Sequence, residues 1–525
     1  MSNIALDSHN FYGSTKYFQI VVRAIGERIK DNAKNVIGLS LKRKSNRYII
    51  ENSVSGKPQF EILWTLPRPH KKVQYYQKSL SCLKITLVPQ VTITRDFRLL
   101  YREICDYIRT SSLIFSLEEE VRLEHYTSQL SRLIPSKYTE KTLENTLLII
   151  REHSLISVFN LLKLLEQYGL QPKNTVFYSK GDNSLNRERV DESLKSRGYS
   201  VNTFNSFQTV SRTGKTRDIR VLPEITTRIK KELKPMFDRA KKENKKLILF
   251  DDGGLLITTV VAEFRNDLSA LTGIIETTKA GMHAIEAKKG FPLTVVNLAN
   301  SLIKNAMSPV IAQSVVYNVR NMLPHIGFIG TAAIVVGYGA IGREVAYLLK
   351  ALHVKVYVCE IEVDKMREAK KDGFPVTNNA KRLFQTAKPK IVMGCTGLDA
   401  LTYQNLIVLP DDTYIATVSS NEIKQSYKHM DKHCSLRLIP DYGREYTLPS
   451  GNKITILADG HSVNLFHEEG ALHADYQPYL ASMCATIMYV ATNKLEPHRG
   501  LDTKLANYIE TEARILTAFE KILKA

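Results

Sequence analysis

A glycine-rich segment in the second half of the chain has the composition and spacing of a phosphate-binding loop. Its residues are Gly337, Tyr338, Gly339, Ala340, Ile341 and Gly342. The first glycine permits a tight turn, the second lets the backbone approach a pyrophosphate, and the third allows a helix to pack closely on a strand. The apolar run 333–336 predicts a buried strand before the loop, and helical spacing after it predicts a helix whose N-terminus faces the phosphates. We expect a dinucleotide to bind here.

The acidic residue Glu360 ends the next predicted strand, 18 residues after Gly342. A carboxylate in this place accepts hydrogen bonds from both hydroxyls of a ribose and repels a 2′-phosphate. The predicted cofactor is therefore NAD rather than NADP. The alternative is a glycine turn in a Rossmann-like domain that binds nothing.

A second group of polar residues follows an apolar run earlier in the chain. Asp251, Asp252, Gly253 and Gly254 come at the end of the predicted strand 246–250. Ligands of open α/β sheets bind at the carboxyl edge of the strands, where we expect these residues to lie. Asp-Gly after a strand is also a common turn, so a purely structural role is the alternative.

Six motifs in the same order resemble those of adenosylhomocysteinase over residues 145–490. They are Asp251-Asp252-Gly253-Gly254, then Glu276-Thr277-Thr278 with Gly281 and His283, Asn300-Ser301 with Lys304, Gly337-Tyr338-Gly339, Thr396-Gly397, and Val463-Asn464-Leu465. The resemblance implies a discontinuous substrate domain, an NAD domain between its parts, and a C-terminal helical segment. It also implies that bound NAD oxidises the 3′-hydroxyl of S-adenosylhomocysteine, after which homocysteine is eliminated, water adds and the ketone is reduced. That hydrolase reaction belongs to one-carbon metabolism, within the S-adenosylmethionine cycle.

The resemblance assigns four residues to the substrate pocket as catalytic groups. They are His153, Asp252, Glu276 and Lys304. Lys304 matches a lysine near the 3′-hydroxyl, where a buried amine with a lowered pKa can act in proton transfer. The match of Glu276 requires one residue inserted before Gly281, and an alternative alignment puts Thr277 in its place. Each of the others also has a structural alternative: a satisfied histidine at a strand end, a turn aspartate, a surface lysine.

The resemblance also assigns NAD contacts outside the glycine-rich loop. These residues are Thr277, Thr278, Glu360, Thr396 and Asn464. No metal site is predicted, because the six cysteines are scattered without the CxxC spacing typical of zinc ligands.

Several positions depart from the family pattern. The aspartate that follows the family's lysine by four residues is Ser308 here, and two family histidines fall on Ser420 and Ala471. His467 and His473 can replace the second histidine only if that loop is rebuilt. Groups that transfer protons typically contribute about 10²- to 10⁴-fold each, so a chain without them can keep its cofactor and lose hydrolysis.

The sequence leaves three functions open. The first is an NAD-dependent enzyme of the adenosylhomocysteinase type, acting on S-adenosylhomocysteine or on another nucleoside. The second is a catalytically silent NAD-binding module used for regulation or for binding a partner. The third is a 2-hydroxyacid dehydrogenase, which ranks last because no suitable histidine follows the fifth strand of the predicted NAD domain.

Alternating strand and helix patterns from about residue 140 predict an α/β fold with parallel sheets. We predict an N-terminal extension of unknown role over 1–135, a substrate-type α/β domain over 136–312, a Rossmann NAD-binding domain over 313–470, and a C-terminal helical segment over 471–525. Strands are expected at 60–64, 83–88, 146–151, 175–178, 246–250, 332–336, 354–359, 390–393 and 413–418. Helices are expected through Leu99 to Ile108 and over 155–168, 479–490 and 504–524.

The composition is that of a globular protein with an excess of basic residues. Of the 525 residues 43% are hydrophobic, and the formal net charge is +20. Basic clusters lie at 42–44, 70–72 and 241–246, but no zinc finger or RNA-binding aromatic motif accompanies them, which argues against a nucleic-acid function. No apolar run of about 18 residues and no secretory signal is present, so we expect a cytoplasmic protein without a membrane contact. The expected partner is an adenosine-containing small molecule; the family resemblance implies a homo-oligomer, an inference weakened here by the lack of its C-terminal tail.

Overall fold

The computed structural model describes residues 7–33, 39–65, 81–89, 95–204, 208–210, 216–218, 223–288, 291–419, 422–423, 425–496 and 499–524. The basic cluster 70–72 and Ser420 lie outside the described residues. The chain forms two compact units, of which one comprises residues 1–126 and 188–196, and the other residues 127–187 and 197–525.

The first unit is an antiparallel sheet with helices packed against it. Its elements are β1 (Asp7–Gly13), α1 (Thr15–Ala33), β2 (Leu39–Lys44), β3 (Arg47–Asn52), β4 (Pro58–Thr65), β5 (Ser81–Pro89), α2 (Arg95–Leu113) and α3 (Leu117–His125). The strand order is β1-β5-β4-β3-β2. Alternate residues of β5 are buried, which is the pattern of a strand with one face on a core. The strands expected at 60–64 and 83–88 and the helix through Ile104 are confirmed, although Leu99 is 67% exposed.

The second unit begins with a parallel sheet. Its elements are β6 (Thr146–Glu152), α4 (Ile156–Gln167), β7 (Thr175–Ser179), α5 (Arg187–Ser196, most of which belongs to the first unit), β8 (Ser200–Thr203), β9 (Gln208–Val210), β10 (Thr216–Asp218), α6 (Pro223–Lys242), β11 (Lys246–Asp251), α7 (Leu255–Glu263), β12 (Leu271–Glu276), α8 (Lys279–Glu286), β13 (Thr294–Asn297), α9 (Leu302–Ala306) and α10 (Ser308–Met322). Strands β6 and β11 are almost wholly buried apolar runs, as central strands covered on both faces must be.

A second, larger sheet follows in the same unit. Its elements are β14 (Ala332–Val336), α11 (Ala340–Ala351), β15 (Lys355–Cys359), α12 (Val363–Lys371), β16 (Val376–Thr377), α13 (Ala380–Ala387), β17 (Ile391–Gly394), α14 (Tyr403–Leu406), β18 (Thr413–Thr417), α15 (Ser426–His433), β19 (Ser435–Ile439), β20 (Gly443–Thr447) and β21 (Lys453–Leu457). The order β16-β15-β14-β17-β18-β21 is the 3-2-1-4-5-6 order of a Rossmann sheet, and β20 and β19 extend it in antiparallel fashion.

The C-terminal segment returns to the first of these two sheets. Its elements are α16 (His473–Thr492), β22 (Gly500–Asp502), α17 (Thr503–Glu512) and α18 (Ile515–Lys524). Strand β22 pairs with β13, so the described residues give the parallel order β22-β13-β12-β11-β6-β7-β8. The sequence did not indicate this strand, because three residues have too little periodicity to be recognised. The helix expected over 504–524 is also interrupted, at Arg514, whose φ is +51°.

The predicted α/β architecture is confirmed. The strands expected in the two parallel sheets appear as β6, β7, β11, β14, β15, β17 and β18, each to within one residue at either end. Helix α16 is buried on nearly every face and packs beside β11 and β12. Among the described residues no helix is long and apolar enough to cross a membrane.

Candidate functional site

The first candidate site lies where the strand order of the smaller parallel sheet reverses. Strands β6 and β11 are adjacent there, and the chain leaves them in opposite directions, which opens a crevice at their carboxyl ends. Arg151 and Asp251 lie opposite each other in the register and form a fully buried ion pair of 3.0 Å between Nη1 and Oδ1. The same Nη1 atom donates to the carbonyl of Asp252 at 2.6 Å and so fixes the turn after β11.

Asp252 is the centre of this site. Its Oδ1 accepts a hydrogen bond from the Lys180 ammonium, and its Oδ2 accepts one from the Thr277 hydroxyl at 3.0 Å. The Nε2 atom of His153 lies 3.8 Å from Oδ1. Burial opposes ionisation of Asp252, but Lys180 and His153 outweigh it and lower its pKa below the usual range. Asp252 is therefore an anion held by the Lys180 ammonium, with the ring of His153 beside it.

His153 follows β6 and is oriented from its other side by Asp182. Its Nδ1 atom is hydrogen-bonded to Oδ2 of Asp182, and Oδ1 of Asp182 accepts the backbone N–H of Ser184 at 3.1 Å. Burial opposes ionisation of Asp182, while its contacts with His153 and Ser184 lower its pKa. The aspartate fixes the ring so that Nε2 points toward Asp252.

Glu276 ends β12 on the other side of Asp252 and is fully buried. Its Oε1 accepts hydrogen bonds from the backbone of Gly253 at 3.1 Å and from the hydroxyl of Thr278 at 2.7 Å. Burial and the nearby Asp251 and Asp252 carboxylates raise its pKa well above the usual range. Its Oε2 has no hydrogen-bond partner within the described part of the chain. Glu276 is therefore a neutral acid with a hydroxyl left to donate.

Lys304 lies on the short helix α9, and its ammonium is 4.0 Å from the ring centre of Tyr479 on α16. Burial lowers the pKa of this lysine, and the Asp252 carboxylate partly restores it. The side chain is only partly exposed, unlike the surface lysine of the alternative interpretation. Helix α9 is held from α17, where a carboxylate oxygen of Glu510 accepts the N–H of Ile303 at 3.0 Å.

Three side chains of this site could also be interpreted as metal ligands. One ligand atom each of Glu152, His153 and Asp252 lies within 4.8 Å of the others. The Lys180 ammonium is already paired with the Asp252 carboxylate, however, and it would repel a metal cation at the same place. We assign no metal to this cluster.

Glu152 gives the site a testable pH dependence. Burial and the Asp252 carboxylate raise its pKa to about 8, although Lys180 opposes the shift. Between its unfolded value of about 4.3 and pH 8, the folded state therefore holds a proton that the unfolded state releases, so stability falls as pH rises through this window. We expect Glu152→Gln, which stays neutral, to gain free energy of unfolding relative to the wild type between about pH 5 and about pH 9.

Chemical denaturation at several pH values measures this difference, and Glu144→Gln at an exposed position is the matched control. Parallel stability curves for the wild type and Glu152→Gln would contradict the assignment.

The second candidate site is the glycine-rich loop between β14 and α11. Gly337 has a φ of +97°, which side chains rarely adopt, and a Cβ atom at Gly342 would stand 2.1 Å from the Gly337 carbonyl oxygen. Helix α11 begins after Gly339 with no side chain capping its first N–H groups. The turn therefore leaves uncapped amides at the carboxyl edge of the sheet, which is the cradle that a pyrophosphate requires.

Glu360 stands beside this loop at the end of β15. Its Oε2 accepts the N–H of Tyr338 at 2.7 Å, and its Oε1 accepts the N–H groups of Ile361 and Glu362 at 2.6 and 2.9 Å. Each carboxylate oxygen has further acceptor capacity, so the buried group can still hold ribose hydroxyls. The residues present fit an NAD cofactor.

Thr396 and Asn464 occupy loops at the same edge. Thr396 donates to Oε2 of Glu422 at 2.6 Å, and the N–H of Gly397 donates to Oε1 of that residue at 2.6 Å. Burial raises the pKa of Glu422 to about 7, although these hydrogen bonds oppose the shift. Asn464 donates its amide to the carbonyl of Gly470 at 3.0 Å and so braces the loop before α16. No sequence signal indicates Glu422, because it lies 26 residues from the threonine that it orients.

The departures from the family pattern have different surroundings. Ser308 is buried at the start of α10. His467 is half exposed, with a ring nitrogen 3.6 Å from Asp441. His473 begins α16, and burial lowers its pKa to about 4.

The loop after β12 connects the two candidate sites. It begins with Glu276 in the acidic cluster and ends three residues later with Lys279. The Nζ atom of Lys279 lies 3.6 Å from the position that a Cβ atom would take at Gly339. The Cβ atom of Lys279 lies 3.9 Å from the position that a Cβ atom would take at Gly397. The crevice of the smaller sheet and the glycine-rich loop of the larger one therefore share one connecting segment.

Comparison with known proteins gives a family match. Residues 311–470 match the model of the S-adenosyl-L-homocysteine hydrolase NAD-binding domain. An adenosylhomocysteinase of Thermoplasma volcanium is 31% identical over 270 residues, which cover 49% of this chain and 63% of the relative. An S-inosyl-L-homocysteine hydrolase of Methanopyrus kandleri is 28% identical over 233 residues, covering 42% and 54%. The chain thus spans between half and two thirds of the length of these relatives.

Solved structures with a similar fold include a dipicolinate synthase from Bacillus halodurans, with a TM-score of 0.33, 11% identity and coverage of 66% of this chain and 99% of that one. An NAD⁺-bound 3-phosphoglycerate dehydrogenase of Entamoeba histolytica has a TM-score of 0.32 and 10% identity, with coverage of 67% and 100%. Residues 311–470 are an NAD-binding domain of the S-adenosyl-L-homocysteine hydrolase type, and the chain is similar to adenosylhomocysteinases over about half of its length.

Proposed function

We propose that this protein is an NAD-dependent enzyme that cleaves S-adenosylhomocysteine, or a closely related nucleoside thioether, by 3′-oxidation and elimination. The observation that carries the proposal is the segment Glu276–Lys279, which links a charged crevice to the glycine-rich loop. A ribose bound in the crevice would therefore lie beside the nicotinamide end of a cofactor held by that loop. The proposed setting is the cytoplasm, and the proposed partner is an adenosine-containing small molecule.

The side chains of the crevice suit the proton transfers of this reaction. When bound, NAD supplies a hydride acceptor for the 3′-carbon. Lys304, whose pKa burial lowers, takes the proton of the 3′-hydroxyl. Glu276 is neutral and donates its free hydroxyl to a sugar oxygen, which orients the ring.

We assign transfer of the 4′-proton to two further groups of the crevice. His153 is fixed by Asp182 and directs Nε2 toward Asp252, so the pair can accept a proton and return it. Serine or alanine stands at three positions where the family has proton-transferring groups. The proposal does not depend on those positions, because Asp182 and Lys180 supply charges in the crevice that the family pattern did not predict.

The second candidate function is a silent NAD-binding module. Its specific support is the absence of a carboxylate at Ser308, four residues after Lys304, and the extra antiparallel unit, whose role no described residue explains. A 2-hydroxyacid dehydrogenase remains the third proposal, and NADH oxidation with a panel of 2-keto acids would identify it.

The decisive experiment is incubation of the purified protein with S-adenosylhomocysteine and, separately, with S-inosylhomocysteine. Free thiol released above the rate of a heat-inactivated control supports the enzyme, and the preferred purine follows from the two rates. Mass spectrometry of the native protein reports bound NAD in the same preparation. Bound NAD without any thiol release from either substrate would favour the silent module. If the protein neither co-purifies with NAD nor binds added NAD, both functions are contradicted.

A further inference from the structure

Lys279 is a cation beside the glycine-rich loop that no family motif assigned. It begins α8, directly after Thr278, whose hydroxyl caps that helix by accepting the N–H of Gly281 at 3.0 Å. This cap fixes the backbone at the start of α8. The Nζ atom reaches to 3.6 Å from the Cβ position of Gly339. Apart from the glycine and its two chain neighbours, no other heavy atom of the described residues comes within 4 Å of that position.

Lys279 forms no ion pair with a described carboxylate. In the part of the chain that the structure describes, no carboxylate oxygen lies within 4.0 Å of its Nζ atom. Burial and the charge of Lys365 lower its pKa, and the Glu362 carboxylate partly opposes them. A partly buried ammonium without a carboxylate is unfavourable by itself and favourable beside an anion.

The other basic side chain of the loop is already engaged. Arg343, in the first turns of α11, donates to Asp372 at 3.1 Å and stacks on the ring of Tyr347. The uncapped N–H groups of α11 and the ammonium of Lys279 therefore face the same point above Gly339, which is where a missing side chain lets a phosphate approach.

We propose that Lys279 binds a phosphate oxygen of the dinucleotide, so that the cofactor ties the glycine-rich loop to the segment that carries Glu276. The inference rests on NAD binding as part of the proposed function and deepens it. Because Lys279 and Glu276 are three residues apart on one connecting segment, loading of the cofactor also fixes the acid that orients the substrate. Cofactor and substrate would then bind with positive coupling.

Calorimetry of the cofactor-free protein tests this with two variants, Lys279→Met and Lys279→Arg. We expect Lys279→Met to weaken NAD binding about 10- to 100-fold, as the loss of a charge-assisted hydrogen bond does, and Lys279→Arg to stay within a few-fold of the wild type. The loss should shrink at high salt, since it is electrostatic. Adenosine diphosphate should show the same loss, and adenosine, which has no phosphate, should show none.

A second readout reports the proton on the lysine. A phosphate raises the pKa of Lys279, so the wild type should take up a fraction of a proton when NAD binds at a pH near the lowered pKa of this lysine, and Lys279→Met should not. Titrations in two buffers of different ionisation enthalpy measure this uptake.

The outcomes separate the two claims. NAD binding by the wild type with equal affinity in Lys279→Met overturns the role of Lys279 alone, as does tighter binding by that variant, which would mean that the lysine obstructs the loop. No NAD binding by the wild type overturns the proposed function as well. Unchanged melting temperatures without ligand confirm that the variants fold.

Discussion

Replacing Lys304 with methionine is expected to lower the rate of homocysteine release about 10²- to 10⁴-fold, with most of the loss in kcat. Methionine keeps the contact with the Tyr479 ring and removes the amine that takes the proton of the 3′-hydroxyl. Lys304 lies in the crevice of the smaller parallel sheet, so the affinity for NAD should remain near that of the wild type. The exposed Lys288, replaced by methionine, is the matched control.

The charge of Lys304 and its basicity can be distinguished. Lys304→Arg retains a cation beside Asp252 but cannot lose its proton, so it should be nearly as inactive as the methionine variant. In the wild type the rate should rise with pH as the amine deprotonates, at a pH below the ordinary range of lysine because burial lowers its pKa. Full activity of Lys304→Arg would contradict proton transfer by this group.

The glycine-rich loop could be predicted because its signal is local. A buried strand, three glycines at fixed spacing and a helix lie within a few residues of one another, and the positive φ of Gly337 and the close approach at Gly342 follow directly from that pattern. Glu360 was also predictable, since the length of one helix and one strand places it beside the loop. The parallel strands were found for the same reason, as each is an uninterrupted apolar run.

The charges that complete the crevice could not be predicted in this way. Lys180 and Asp182 lie in a loop after β7 with no motif, and only the folded sheet brings them to Asp252 and His153, which are distant in sequence. Their presence changes the electrostatics of the site. Asp252 is a paired anion, Glu276 is a neutral acid, and the ammonium of Lys180 takes the place that a metal ion would need.

The positioning of Lys304 depends on residues that are further still along the chain. Its helix, α9, has only five residues and could not hold a catalytic side chain by itself. Glu510 accepts the N–H of Ile303, and Ser482 on α16 donates to the same carboxylate at 2.6 Å. The C-terminal segment thus adds β22 to the smaller sheet, and its helices α16 and α17 support the crevice.

Replacing Gly342 with alanine is expected to remove NAD binding. The new Cβ atom would stand 2.1 Å from the carbonyl oxygen of Gly337 and 3.1 Å from the Cβ atom of Cys395, so α11 must move away from β14. The N–H groups that face the pyrophosphate move with the helix. At a concentration of about 100 times the wild-type Kd, NAD stabilises the wild type by about 2.7 kcal/mol, and we expect almost none of this in Gly342→Ala.

Because Gly342→Ala can fail to fold, a second variant separates loss of the fold from loss of the cradle. Beyond its own chain neighbours, a Cβ atom at Gly339 meets no described atom closer than the Nζ of Lys279 at 3.6 Å. Gly339→Ala should therefore keep the stability of the wild type while its methyl group occupies the place of a phosphate. If its Kd rises about 100-fold, stabilisation by the same NAD concentration falls to about 0.4 kcal/mol. Gly327→Ala, where a Cβ atom meets open space, should retain the full melting shift. Equal NAD-dependent shifts in Gly339→Ala and Gly327→Ala would show that the dinucleotide does not approach the backbone at this loop.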